Sequence, residues 1–165
     1  MGKPSKVLYE RATIITALRE SNAIESVYDK DSLDQAMLAW EFLMKHDAFT
    51  SALICQTHAI LMRNQGLRPD ECGYFRRRPV YIGEREGLSW ENISNAIRLW
   101  IGDVERPSPD WKQLHIAFLY IHPFIDGNGR TGRMLMNWMR IKRCGLEPLI
   151  IHESEKSWYF TWFRK

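Results

Sequence analysis

The sequence has little cysteine, no long apolar run and no strong excess of charge of either sign. Its three cysteines are scattered and odd in number, so the sequence predicts reduced thiols and neither a disulfide framework nor a cysteine-bound metal. No apolar stretch approaches the roughly 18 residues that a membrane-spanning helix needs. The net charge of +3 is too small to indicate a nucleic-acid partner, although it would not repel phosphates.

Signals for export or lipid attachment are also missing. The first residues, Met-Gly-Lys-Pro-Ser-Lys, have no apolar core of the kind that a signal peptide carries. Lys6 stands where N-myristoylation requires Ser or Thr. We therefore expect a cytoplasmic protein with no membrane partner and no nucleic-acid partner. The 165 residues, 45% of them apolar, suffice for one domain with one core.

Residues 122–133 gather side chains that handle phosphate, in the order His-Pro-Phe-Ile-Asp-Gly-Asn-Gly-Arg-Thr-Gly-Arg. Apolar residues at helical spacing precede them, and Ser108-Pro109-Asp110 is typical of a helix start, with a hydroxyl cap and a first-turn proline. Pro123 disfavours helical geometry at the residue before it, so this helix is predicted to end at His122. A second helix is predicted over about residues 128–143.

The start of the second helix has the features of an anion site. Gly127 and Gly129 permit a tight turn and the close approach of a ligand to the backbone. First-turn amides at the positive end of a helix dipole are free donors for phosphate. Arg130 and Arg133 are three residues apart, so they share a helix face and can reach the same anion.

His122 and Asp126 add a candidate base and a candidate metal ligand to this phosphate site. An imidazole with a free pKa near ~6.5 suits removal of a hydroxyl proton at neutral pH. Magnesium usually takes one or two carboxylates together with substrate phosphates, which makes Asp126 a candidate ligand. Each group alone has an ordinary alternative: a structural histidine, a helix cap or a turn. Their conjunction favours a nucleotide-phosphate site, because packing does not require so many anion-binding groups together.

The same stretch resembles the signature of the Fic domain family and fits it at every signature position. Members of this family move AMP from ATP to a protein hydroxyl, so the resemblance implies AMPylation with ATP as substrate and Mg²⁺ as cofactor. It implies that His122 deprotonates the target side chain and that Asp126 holds the magnesium. The implied nucleotide-binding residues are Asn128 and Arg130, with the Gly127 and Gly129 backbone, at the α- and β-phosphates, and Arg133 at the γ-phosphate. The Doc branch carries Ala-Asn-Lys at positions 127–129, so that branch is disfavoured.

Residues 21–26, Ser-Asn-Ala-Ile-Glu-Ser, resemble the inhibitory helix motif of many Fic proteins. Ser21 and Glu25 match the motif, whereas Ser26 departs from its final Gly or Asn. A carboxylate that reaches Arg133 would occupy the guanidinium that should hold the γ-phosphate. ATP could then still bind, but in a pose unsuited to transfer. The alternative is that Glu25 is an ordinary solvated helix residue.

Residues 73–87 change to a basic, aromatic and β-prone composition. Gly73-Tyr74-Phe75-Arg76 resembles the start of the Fic flap, a hairpin that pairs with the target protein's backbone and places its hydroxyl near the base. Such strand addition needs an exposed edge, and the candidates for that edge are Val80, Tyr81 and Ile82. The run Arg76-Arg77-Arg78 is interpreted as a solvated hairpin face rather than a nucleic-acid patch.

The C-terminal aromatic residues have two interpretations. A last helix is predicted to begin near Ser154. Its aromatics are Trp158, Tyr159 and Trp162, and such side chains usually pack in a core. The family resemblance instead implies that Tyr159 lines an adenine pocket. The chain ends at Lys165, before the point where relatives often place an asparagine near the base, so either the sequence is truncated or base recognition is incomplete.

Three further segments are predicted to be helical. One helix spans residues 5 to about 25, two lie within 31–65, and one covers 89–101. The predicted caps are Asp31 or Ser32 for the first helix within 31–65, and Ser89 for the helix over 89–101. His58 is interpreted as a buried, hydrogen-bonded scaffold residue rather than a ligand.

Together these segments predict an all-α, Fic-type bundle of about six to eight helices with one small β-hairpin flap. We expect a single domain over residues 1–165. Within it lie an inhibitory region at 1–30, the flap at 73–87, and the core helices with the motif loop at 108–145.

Four functions are compatible with this pattern. The first is an AMP transferase that acts on an unidentified target protein and is restrained by Glu25. The second removes AMP from a modified protein, with Glu25 orienting a water. The third transfers another group, such as UMP or phosphocholine, and the fourth is a nucleotide-binding regulatory or antitoxin-partner module. Dimers are common in the family, which makes a homodimer the candidate assembly.

Overall fold

The computed structural model describes residues 10–164, and helices make up most of this range. Its α-helices are α1 Arg11–Ile24, α2 Lys30–Met44, α3 Ser51–Leu61, α4 Ile93–Val104, α5 Trp111–Ile121, α6 Asn128–Lys142 and α7 Lys156–Phe160. Two short antiparallel strands, β1 Tyr81–Ile82 and β2 Arg85–Glu86, form a hairpin between α3 and α4. The predicted all-α bundle with one small hairpin is therefore confirmed.

The predicted helix starts are wrong at α2 and α5, where a carboxylate two or three residues away provides the cap. Asp29, rather than Asp31 or Ser32, caps α2 and accepts the Ser32 backbone N–H at 2.8 Å. Asp110, rather than Ser108, caps α5 by accepting a first-turn N–H at 3.0 Å. Ser108 has a left-handed backbone, with φ of 51°, so helical geometry begins only beyond it.

Ser89 is the predicted cap of the helix over residues 89–101. Ser89 precedes a short 3-10 turn, Trp90–Asn92, that leads into α4, but its side chain makes no cap bond. The predictions that fall on residues 1–9, including the first turns of the N-terminal helix and Lys6, lie outside the described residues.

No helix within the described range combines the length and the apolar character that a bilayer crossing would require.

Helix α6 is the centre of the bundle. Every residue from Thr131 to Met139 is buried, and α1, α2, α3 and α5 all pack against this helix. A helix enclosed in this way has little freedom to shift. Its first turn, which carries the phosphate-site residues, is therefore held on a rigid element.

Tryptophan side chains join the helices around α6, as expected for a core rich in aromatics. The Phe49 ring lies 4.1 Å from Trp138 and 5.6 Å from Trp100, measured between ring centroids. Both indole N–H groups are satisfied in the interior: Trp100 donates to the Leu114 carbonyl at 2.8 Å and Trp138 to the His46 carbonyl at 3.1 Å. Buried indoles that are both packed and hydrogen-bonded fix α4, α5 and α6 relative to one another.

The segment after α6 has no regular secondary structure over residues 145–152. Gly145 has φ of 62°, a left-handed conformation that ends the helix at little cost only for glycine. The Asn137 side chain then accepts the Leu149 N–H at 2.7 Å and donates to the Leu149 carbonyl at 3.1 Å. This pairing holds the segment against α6 and leads the chain to the C-terminal aromatics.

Candidate active site

A cleft of about 790 Å³ brings together residues that are far apart in the sequence. The predicted site residues that line it are Glu25, Ile82, His122, Gly129, Arg133 and Tyr159. Asp126, Asn128 and Arg130 do not contribute to this lining. The volume falls in the range of small-molecule sites. The end of α1, the hairpin, the end of α5 and the start of α6 therefore share one concave surface.

His122 is held in the geometry of a neutral base. It follows α5 in a left-handed conformation, with φ of 50° and ψ of 62°, which turns the side chain out of the helix. Its Nδ1 lies 3.3 Å from the Leu119 carbonyl, so Nδ1 carries the proton and Nε2 keeps its lone pair. Burial lowers the pKa of His122, and the nearby Arg76 and Arg85 charges act in the same direction. The ring is therefore neutral at pH 7 and can accept a proton.

Arg76 is the residue that sequence reasoning missed most clearly. Predicted to lie on a solvated face, it is 3% exposed, whereas Arg77 and Arg78 are exposed. Its Nε donates to the His122 carbonyl at 2.8 Å and its Nη2 to the Leu88 carbonyl at 2.6 Å. A third bond runs from Nη1 to the Arg78 carbonyl at 3.0 Å. The Arg76 guanidinium thus connects the residues on either side of the hairpin with the backbone of His122.

Replacing Arg76 with alanine is expected to lower the free energy of unfolding by about 3 kcal/mol, because several buried carbonyls lose their donor at about 1 kcal/mol or more each. Lysine at this position should recover only part of that loss, since an ammonium cannot reproduce the planar fork of donors. Urea unfolding followed by circular dichroism measures both effects. The exposed neighbour provides the control: Arg77→Ala should change stability little, and a loss as large as that of Arg76→Ala would contradict this role.

The loop between α5 and α6 needs glycine at position 127. Gly127 has φ of 79°, and a Cβ there would lie 2.5 Å from the Met62 sulfur. The turn allows α6 to begin at once, with the Thr131 N–H bonded to the Gly127 carbonyl at 2.9 Å. The first-turn amides of α6 then have no partner within the helix, which leaves the donors that the predicted anion site would use.

The Asn128 side chain has a different position from the one expected of a phosphate ligand. It accepts the Phe124 N–H at 2.9 Å and donates to the Phe124 carbonyl at 2.8 Å. Both of its polar atoms are therefore used to close the loop on itself. Only its backbone N–H, in the first turn of α6, remains for an anion. The sequence motif singled out Asn128, but it did not predict that the side-chain amide of this residue shapes the loop.

His58 supports the loop between α5 and α6, which agrees with its interpretation as a scaffold residue. Its Nε2 donates to the Asp126 carbonyl at 2.8 Å, and its Nδ1 accepts the Gly73 N–H at 3.0 Å. The ring also stacks on Phe124 with 3.7 Å between centroids. Both ring nitrogens thus take part in hydrogen bonds, and burial lowers the pKa of His58 to about 4.

Stability is expected to fall as the pH is lowered from about 6.5 to about 4. The unfolded chain protonates His58 below about 6.5, whereas the folded chain resists protonation until about 4, so acid favours unfolding. This difference corresponds to about 3 kcal/mol. His115 acts in the same direction, because complete burial lowers its pKa to about 3. Urea unfolding at a series of pH values measures the slope.

The control for this prediction separates one histidine from the rest. His58→Gln should reduce the slope while lowering stability at neutral pH. An unfolding free energy that stays constant between about pH 6.5 and 4 would contradict the prediction.

Asp126 is exposed at the edge of the loop, where its Oδ1 accepts the Gly127 N–H at 2.7 Å. Residues 10–164 contain no group of three or more His, Cys, Asp or Glu side chains that could hold a metal on its own. A cation at Asp126 would therefore take most of its ligands from phosphate and water. Magnesium is bound in this manner at many nucleotide sites, so the residue present fits the group that was predicted.

Glu25 and Ser21 both contact Arg133. Arg133 Nη2 lies 2.8 Å from Glu25 Oε1 and 2.9 Å from the Ser21 carbonyl, and Nε donates to Ser21 Oγ at 2.9 Å. The Arg133 side chain is 4% exposed and that of Glu25 is 38% exposed. A Cβ at Gly129 would overlap Glu25 Oε1. The carboxylate thus lies against the first turn of α6, where an anion would bind.

Arg130, predicted to reach the same anion as Arg133, bonds to a different partner. Its Nη1 donates to Gln65 Oε1 at 2.8 Å, and its side chain is buried. Burial lowers the pKa of Arg130, while the carboxylates of Asp126 and Glu25 oppose that shift. The two arginines therefore flank the helix start from different directions.

Tyr159 is the predicted site residue whose position differs most from its implied role. Its exposed fraction is 0%, and its hydroxyl lies 2.8 Å from His115 Nε2 and 3.5 Å from Arg133 Nη1. The ring lines the cleft with the Arg133 guanidinium 5.6 Å from its centre, and it offers no open stacking surface. Phe160, which is 40% exposed and also lines the cleft, is a more accessible aromatic for a nucleobase.

The hairpin lies over the same cleft. β1 and β2 pair through Tyr81 with Glu86 and Ile82 with Arg85, and within the described range neither strand has another neighbour. Tyr81 is 70% exposed, so the outer edge of β1 is open, as predicted for the flap. The Arg85 guanidinium lies 4.5 Å from the centre of the Tyr120 ring, which fastens the hairpin to α5. Val80 closes the hairpin base by accepting the Gly87 N–H at 2.8 Å.

Several known proteins resemble this chain in sequence. A family model described as Fic/DOC family matches residues 48–139. A protein adenylyltransferase Fic from Aedes aegypti is 31% identical over 127 residues, which cover 73% of this chain and 25% of that protein. Another from Drosophila grimshawi is 34% identical over 103 residues, or 58% of this chain and 21% of that protein. The chain thus spans about a quarter of the length of these relatives.

Solved structures share the fold. A Fic domain containing signaling protein from Bacteroides thetaiotaomicron superposes with a TM-score of 0.77 at 19% identity, covering 91% of this chain and 70% of that chain. Fic-1 from C. elegans gives a TM-score of 0.76 at 22% identity, with coverage of 92% and 55%. At such identities the likeness concerns the fold alone.

Proposed function

The chain belongs to the Fic/DOC family, and on this basis we propose that it transfers AMP from ATP to a hydroxyl side chain of another protein. The observation that carries the proposal is that His122, with its Nδ1 against the Leu119 carbonyl, lines the same cleft as Gly129 and Arg133 at the start of α6. A base and a phosphate site within one cleft are what nucleotidyl transfer to a hydroxyl requires.

The proposed reaction is a single displacement at the α-phosphorus. The target hydroxyl oxygen forms a bond to that phosphorus, and the bond to the bridging oxygen of the β-phosphate breaks, so that pyrophosphate leaves. The hydroxyl proton passes to His122 Nε2. The first-turn amides of α6 with Arg130 hold the α- and β-phosphates, and Arg133 holds the γ-phosphate.

Two further elements place the reactants. The open edge of β1 pairs with the backbone of the target protein and brings its hydroxyl towards His122. Asp126, together with the phosphates, would hold Mg²⁺, which neutralises phosphate charge when bound. Glu25 restrains the reaction in the resting chain, because its carboxylate already occupies Arg133.

The position of a radioactive label tests the proposal. The intact chain and Glu25→Gly are incubated with a cell lysate, magnesium, and ATP labelled either at the α- or at the γ-phosphate. AMP transfer labels protein from α-labelled ATP only. Label from γ-labelled ATP would indicate phosphoryl transfer, and no label from either would refute AMP transfer. UTP labelled at its α-phosphate tests transfer of UMP, and CDP-choline labelled at the phosphate that bears choline tests transfer of phosphocholine.

Removal of AMP from a modified protein is the second candidate. The observation that favours it is the partial exposure of Glu25 in the cleft, since a carboxylate there could orient a water towards an AMP phosphorus. Protein that has been labelled by Glu25→Gly is the substrate for the test. If the intact chain releases AMP from it and Glu25→Gln does not, Glu25 is catalytic for removal.

A further inference from the structure

Gln65 connects the phosphate-site arginine to the start of α2. It lies in the turn after α3, where its Oε1 accepts Arg130 Nη1 at 2.8 Å. Its Nε2 donates to Ser32 Oγ at 2.7 Å. Ser32 is itself buried, and its hydroxyl donates to Asp29 Oδ2 at 2.8 Å. Hydrogen bonds therefore run in series from Arg130 through Gln65 to Ser32, and each fixes the orientation of a side chain. The series ends at Asp29, the N-cap of α2.

The two arginines at the start of α6 have chemically different partners. Arg133 meets the carboxylate of Glu25, which uses its charge as well as its hydrogen bonds. Arg130 meets the amide oxygen of Gln65, which orients the guanidinium without adding an opposite charge. Arg130 Nε is buried and has no partner within the described range. A buried donor left unpaired is costly.

We propose that Gln65 is a positioning residue for the nucleotide's phosphate chain, acting through Arg130. Resting on the proposed function, this assignment states that a neutral acceptor holds the guanidinium in the orientation that phosphate requires and leaves its charge available. An acidic residue at this position would hold Arg130 equally well but would compete with phosphate for it. The neutrality of Gln65 is therefore as important as its hydrogen bonds.

Nucleotide binding to two variants distinguishes this role from a structural one. The dissociation constants for ATP and for adenosine are measured by calorimetry in the Glu25→Gly background. Gln65→Leu removes the orienting acceptor and should weaken ATP binding about tenfold. Gln65→Glu nearly preserves the shape but adds a charge, and it should weaken ATP binding at least as much. Adenosine lacks phosphates, so its affinity should stay unchanged in both.

Three controls complete the design. Gln56→Glu makes the same charge change at an exposed position of α3 and should leave ATP affinity unaltered. Ser32→Ala removes the support of Gln65 and should weaken ATP binding in the same direction by a smaller factor. Thermal unfolding of each variant reports whether it is folded, and Gln65→Glu tests the proposal if Gln65→Leu proves unstable.

Several results would overturn the proposal. They are ATP affinity within about twofold of the parent in Gln65→Glu, an equal loss of adenosine and ATP affinity, or no ATP binding by the parent. Failure of the proposed function would differ from these: the parent would bind ATP, and the variants would weaken that binding, while no AMP reached any protein.

Discussion

Replacing Glu25 with glycine is expected to raise the rate of AMP transfer to protein by about tenfold to a hundredfold. The reason is that a hydrogen bond to a charged group is worth about 1.5–3 kcal/mol, and ATP must displace the Glu25–Arg133 contact before its γ-phosphate can reach Arg133. The carboxylate also overlaps the space above Gly129, so its removal opens the anion site. Initial rates with α-labelled ATP at fixed target concentration measure the change.

Glutamine at position 25 separates charge from volume. Glu25→Gln keeps the size of the side chain but removes the ion pair, so its rate should lie between those of the intact chain and Glu25→Gly. Glu41→Gln makes the same charge change at an exposed position on α2 and should leave the rate unaltered. A rate for Glu25→Gly equal to that of the intact chain would show that the contact does not restrain transfer.

Replacing His122 with alanine in the Glu25→Gly chain is expected to lower kcat by about 10²–10⁴-fold, the usual contribution of a positioned general base. The dissociation constant for ATP should change little, because in the proposed reaction the imidazole meets the target hydroxyl rather than the phosphates. Single-turnover labelling and equilibrium binding measure the two quantities. His152→Ala, at an exposed position, serves as the control. Transfer that persists in His122→Ala would exclude this residue as the base.

The pH profile gives an independent check on the same residue. The base must be neutral to act, and burial lowers the pKa of His122 from its ordinary value of 6.5. The rate should therefore be constant around neutral pH and fall only when the pH drops below about 6.5. A profile that falls through a midpoint above that value would contradict the direction of the shift.

The sequence predicted the helix ends around residues 122–128 well because their geometry is local. Pro123 ends one helix and Gly127 allows the next to begin, so the few residues between them determine where His122 lies relative to the first turn of α6. The periodic apolar residues of α4 and α5 likewise predicted the core. These features depend on neighbours within a few positions, which is the range over which a single sequence is informative.

The structural features that the sequence did not predict depend on contacts with residues far away along the chain. Arg76 looks like one of three surface arginines in the sequence, but its buried guanidinium bonds to carbonyls as distant as that of His122, 46 positions away. Gln65 carries no motif at all, because its importance comes from Arg130. Tyr159 lines the cleft, but the bond of its hydroxyl to His115, 44 positions away, could not be read from the sequence. Nothing local to these residues distinguishes a surface position from an interior one.

The pairing of Asn128 with Phe124 also bears on the chemical ageing of the protein. Asparagine followed by glycine is the sequence most prone to deamidation, in which the next backbone nitrogen attacks the side-chain carbon. Here that amide is fixed by two hydrogen bonds at a helix start, so the folded chain should age slowly at this site and the unfolded chain quickly. An aspartate formed there would face the Phe124 carbonyl without a donor and place a negative charge in the anion site. The age of a preparation would then limit the fraction of molecules able to bind nucleotide.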